Sequence, residues 1–137
     1  MVERQRRRPT VAKWVTVDVA SNAVLPELRA ELLRRFERDQ AARQAAFRGG
    51  SPVQVLVFDG DNSRWLAGVL DEHGWPGWQL VGRDGASAVW LLAQHADEDL
   101  TLQRRCLDLL SQAVDAGAAN PAHLAQPTWP SPPGLLD

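Results

Sequence analysis

Any chemistry in this chain would centre on His95, which ends the apolar run "WLLAQHADED" (Trp90–Asp99) and precedes Asp97 by two residues. An imidazole beside a carboxylate can serve as general acid or base, the carboxylate fixing its tautomer. Asn62 and Gln103 complete the candidate catalytic set, as groups that would position a small polar substrate. Asp39, Gln40 and Asp59 are candidate ligand-binding residues. Trp75 and Trp78, in "GWPGWQLVG", either close the core beneath a loop or wall a ligand pocket and contact surface.

Spacing brings these groups together. Leu28, Leu32 and Phe36 form a helical stripe that continues through Asp39, Gln40 and Arg43, so an apolar face turns polar halfway along. Asp59 and Asn62 lie on the same side as Leu66 on a second helix, and Gln103 precedes Cys106, Leu107 and Leu110 on a fourth. A buried polar group left without a partner costs about 1–3 kcal/mol, so such groups should meet one another. Asp39, Gln40, Asn62, His95, Asp97 and Gln103 are therefore expected to gather at one end of a bundle. A plainer reading stands beside this one: His95 and Gln103 bond helix-terminal carbonyls, and Asp97 and Asp99 cap the next helix.

The elements that would position these residues are helices, giving an all-α fold, a single small bundle of about four. Helix one is expected over 26–47, stopped by Gly49, Gly50, Ser51 and Pro52. Helix two should run from Asp59 or Asp61 to His73, with Gly74 as its C-terminal cap. Helix three should begin after Asp84, taken as its N-cap, and helix four near Asp97 or Asp99, ending at Gly117. "NPAHLA" adds a short turn, and "QPTWPSPPGLLD", with four prolines from Pro127 to Pro133, reads as an extended tail. The domain boundaries that follow are a basic arm over 1–24, a helical domain over 25–125 and a Pro-rich tail over 126–137.

Composition limits the function classes. The chain has 137 residues, 23% of them charged, and a formal net charge of -2. Its first 13 residues carry Arg4, Arg6, Arg7, Arg8 and Lys13 against Glu3, a net of +4 that leaves -6 for the rest. That is not a nucleic-acid binder's distribution, beyond weak phosphate contact by Arg4, Arg6, Arg7 and Arg8. No apolar run is long enough to span a membrane, and Lys13 and Asp18 interrupt any signal-peptide core, so a cytoplasmic location is expected. The partner is unknown. Cys106 is the only cysteine, which excludes zinc sites built on paired cysteines, and His73, His95 and His123 lack tight ligand spacing. No metal or cofactor is expected, although His95, Asp97 and Asp59 together offer donors for a divalent cation.

"VQVLVFDGDNS" (Val53–Ser63) imitates the nucleophile strand of a haloacid dehalogenase-type phosphatase, but that fold needs alternating strands and helices and a downstream lysine, whereas the one lysine is upstream at Lys13. Ordered motifs resemble instead a bacterial family of unknown function, DUF6624, frequent in actinobacteria. They are "RDQAAR" (Arg38–Arg43), "DGDN" (Asp59–Asn62), "HGWP" (His73–Pro76), "LVG" (Leu80–Gly82), "WLLAQHAD" (Trp90–Asp97), and Gln103 with Leu107 and Leu110. The resemblance covers Leu28 to about Ala125 and implies an uncharacterised bacterial protein. Family members normally continue with a Leu-Thr-Asp-Arg segment and a closing Tyr-Gly-Thr-Gln, which the Pro-rich tail replaces here. Two functions stay open: an enzyme using His95 for acid–base chemistry on a small polar substrate, or a non-catalytic interaction module, including a truncated, inactive family member.

Overall fold

A computed structural model describes residues 23–126 and 129–130. Arg4, Arg6, Arg7, Arg8, the alternating "WVTVDVA" segment and most of the Pro-rich tail lie outside them. The described chain is all-α: α1 (Pro26–Phe47), α2 (Val53–His73), α3 (Trp78–Gln94), α4 (Leu100–Asp115) and the single turn α5 (Pro121–Leu124). None of the described helices is long and apolar enough to cross a membrane.

Helix α1 has the expected bounds. Pro26 starts it, where a missing N–H is no loss, and Gly49, with φ 100°, turns the chain out. Helix α2 begins at Val53, six residues before the earliest expected start. The β-branched run after Pro52 suggested extended chain, but with no strand among the described residues to pair with, its backbone groups are satisfied only by helix. Ser51 Oγ accepts from Val53 N at 3.2 Å to open it, and Gly74, φ 69°, closes it as expected.

Helical residues of α3 also start early, at Trp78, but this first turn is broken at Gly82, φ 76°. The long helix follows that break, near the expected position. Asp84 serves a different purpose from a simple cap: both its oxygens accept from Arg29 of α1, at 2.9 and 2.6 Å, while Oδ1 also accepts from Gly85 N at 2.7 Å. The α4 expectation holds in detail, Asp99 accepting from Leu102 N at 3.0 Å, with Gly117 at φ 74° beyond the end.

Three contacts fix the register of α1 on α3: Leu25 N to Leu80 O at 2.8 Å, Arg29 to Asp84, and His95 to Asp39. Both numbers rise together, so α1 and α3 run parallel, while α2 returns antiparallel to α1 through the 48–52 turn. Gly85 permits the tight break at the start of α3, since a Cβ there would lie 2.8 Å from Val81 Cβ, whereas Arg29 Cγ of α1, at 3.5 Å, would be in ordinary contact. The core between the helices contains Leu32, Leu66, Val81, Val89, Leu92, Cys106 and Leu110, all buried. Trp75 joins it at 5% exposure, so the pocket-wall and contact-surface reading does not hold for that residue. Trp78 is half-buried, with the Arg83 guanidinium 3.9 Å over its ring.

Helix α3 ends at Gln94, level with Asp39, whereas α1 continues to Phe47, about two turns further. The tip of the α1–α2 hairpin therefore overhangs the end of α3, and the polar face of α1 begins where α3 stops covering it.

Candidate functional site

His95 is the C-cap of α3, its backbone N bonding Leu91 O at 3.0 Å, and this termination turns the imidazole toward α1. Its Nδ1 lies 3.1 Å from Asp39 Oδ1, a side chain only 1% exposed. Asp39 is thus the carboxylate partner that spacing had assigned to Asp97. Asp97 is exposed and its Oδ1 accepts from Gln103 Nε2 at 3.4 Å, because the chain has left the helix by then and points it away from the imidazole.

Asp39 is saturated. Oδ1 also accepts from Arg43 Nε at 3.0 Å and Oδ2 from Gln40 Nε2 at 2.9 Å. Arg43, one turn along α1, reaches α2 as well, its Nη2 donating to Asp59 Oδ1 at 2.6 Å. Three helices therefore meet through Asp39, Asp59, Arg43 and His95. Burial works to raise the Asp39 carboxyl, but the hydrogen bond and charge of His95, and then Arg43, outweigh it and hold it below the ordinary range. Asp59 moves the other way. Burial outweighs the guanidinium it shares with Asp39, and the Asp39 charge adds to the effect, so its carboxyl sits above the usual range.

The imidazole has one committed nitrogen and one open. His95 Nε2 has no bonding partner among the described residues and is not shut away from solvent, the side chain being 23% exposed. With Nδ1–H donated to the anionic Asp39, the neutral ring presents an acceptor lone pair at Nε2. That arrangement leaves Nε2 able to take a proton from a bound molecule.

The same three residues offer donors for a metal: one ligand atom each from Asp39, Asp59 and His95, all within 4.8 Å of one another. Asp39 takes the position expected of Asp97. Arg43 already ties the two carboxylates together, so a cation there would compete with a guanidinium.

The other expected members lie apart from the imidazole. Asn62, buried, accepts through Oδ1 from Arg35 at 2.8 Å and Arg38 at 3.0 Å, and Asp61 accepts from the same two arginines at 2.9 and 2.8 Å. Hydrogen bonding from Arg38 leads the effects that hold Asp61 below the carboxylate range, with Arg35 adding to it. This second cluster continues the first along the α1–α2 seam. Gln103 bonds the Ala93 and Gln94 carbonyls, both at 3.0 Å, so it closes the C-terminus of α3 as the plainer reading had it. The expected six-residue gathering is thus three adjoining groups. Arg35, Arg38, Arg43 and Asp61 were missing from the candidate set, though Arg35, Asp39 and Arg43 at four-residue spacing were a visible ion-pair signal.

Comparison with known proteins finds no matching family model, no matching curated protein and no matching solved structure.

Proposed function

We propose that the protein performs acid–base chemistry at His95 Nε2 on a small polar substrate, with Asp39 as the positioning residue that holds the imidazole. The observation that carries this reading is the 3.1 Å contact from Nδ1 to a carboxylate 1% exposed, while the ring itself is 23% exposed. A structural histidine gains nothing from an open nitrogen; a general base needs one. Asp59, paired with Arg43 and within 4.8 Å of the other two donor groups, is suited to flank a polar substrate beside the imidazole. Gln40 and Arg43, at the edge of the cluster, are suited to orient a polar ligand.

The roles first given to Asp97, Asn62 and Gln103 pass to Asp39, Asp59 and Arg43 in this reading. We also propose membership of the DUF6624 family and a cytoplasmic location. The motifs behind the family resemblance contain Asp39, Gln40, Arg43, Asp59, Asn62 and His95, all of which lie in the α1–α2–α3 polar seam. The lone, buried Cys106 supports a reducing compartment.

Hydrolysis of p-nitrophenyl acetate, an ester sensitive to any accessible imidazole, gives a substrate-independent test. Wild-type protein should hydrolyse it above background, His95→Gln should lose that activity, and His123→Gln should keep it. If His95→Gln hydrolyses the ester as wild type does, while losing stability, His95 is a structural clamp and the proposal fails.

A further inference from the structure

The hairpin overhang carries an apolar patch that the site does not use. Six large apolar residues are exposed among the described residues, and four of them stand at this tip: Phe47 at 92%, Val53 at 60%, Leu56 at 69% and Val57 at 56%. Val53 and Val57 lie on the outer face of α2, in line with exposed Arg64, Gly68 and Asp71, while Asn62, Leu66 and Val69 face the core. Leu56 is uncovered because α3 ends short of it. Together these side chains expose on the order of 500 Å², at the upper end of what a monomer usually leaves bare.

From the geometry of this tip we infer that it is a twofold self-association surface, occupied by the same tip of a second copy of the chain. Two observations select that occupant. The first is charge: from Gln44 to Phe58 the chain has a single charged residue, Arg48, although 23% of the whole chain is charged. So sparsely charged a patch gives an oppositely charged partner little to recognise, and a second copy would bring only one like-charge pair, Arg48 with Arg48. The second is area. Two such patches face to face bury roughly 1,000 Å², which reaches the lower limit of a specific interface.

Sedimentation equilibrium of the full chain, from about 1 to 200 µM, spans the affinities expected of so small an interface. The wild type should approach twice the chain mass at the upper end. Leu56→Glu, which sets two like charges against each other across the axis, should weaken association at least about tenfold. Val24→Glu, at an exposed apolar residue before the opposite end of α1, should leave it unchanged, and circular dichroism should show both variants folded. A wild type monomeric throughout, its patch covered by its own tail or meant for another protein, overturns the inference. So does a dimer indifferent to Leu56→Glu.

Discussion

At the scale of single residues, the site is defined by how two similar carboxylates are treated differently. Asp39 is driven below its ordinary pKa and Asp59 above it, although both touch Arg43. For Asp39, the folded value lies below the unfolded one, so its stabilisation is present above the unfolded pKa of about 4 and is lost as pH falls through the folded value. For Asp59 the sign reverses: its contribution is present below about pH 4 and is lost as pH rises through the raised folded value. Asp39→Asn should accordingly destabilise the protein at pH 7 by about 1–3 kcal/mol and flatten its acid unfolding limb. Asp59→Asn should cost less at pH 7. Urea unfolding at pH 7, 5, 4 and 3 measures both, and equal losses at pH 7 would contradict the assignment. Cys106 gives another residue-scale expectation. Burial pushes its thiol up to about 12, so a disulfide reagent should modify it only at the rate of unfolding.

At the scale of elements, two glycines of similar helical setting should respond in opposite ways. A Cβ at Gly85 would stand 2.8 Å from Val81 Cβ, across the break at Gly82 within α3. Gly85→Ala should cost about 1–3 kcal/mol by overpacking. Gly68, exposed in the interior of α2, has nothing within 4 Å of its Cβ position, so Gly68→Ala should stabilise by about 0.5–1 kcal/mol. Thermal melts of the two variants would decide the matter. Gln103→Ala should cost about 1–2 kcal/mol, because two carbonyls at the end of α3 lose their side-chain donor.

These elements were largely legible in the sequence, since α1, α4, α5 and the Gly74 cap follow from periodicity and helix-stop residues. The start of α2 was not, because Val53–Phe58, apolar but for Gln54, has no helical period to read. The candidate site was legible as a list and not as a pairing. Helical stripes identified Asp39 and Asp59 as facing inward and the end of helix three supplied His95, but which carboxylate meets the imidazole depends on the parallel register of α1 and α3, a tertiary relation that spacing within one helix cannot encode.

At the scale of the whole molecule, the architecture sets a short helix between the arms of a longer hairpin. Because α3 stops at Gln94, its terminal histidine sits where α1 and α2 still continue, and the gap is lined by their polar side chains and topped by their apolar tip. Site and tip are thus neighbouring products of the same mismatch in helix length. The proposed chemistry therefore depends on three helices assembling so that Asp39 takes Nδ1 of His95 and leaves Nε2 free. Long-range proton–nitrogen NMR of uniformly labelled protein, recorded where His95 is neutral, reads this directly. The spectrum should show His95 protonated at Nδ1 and bare at Nε2, with the pattern lost in Asp39→Asn. A neutral His95 carrying its proton on Nε2 would contradict the proposed chemistry.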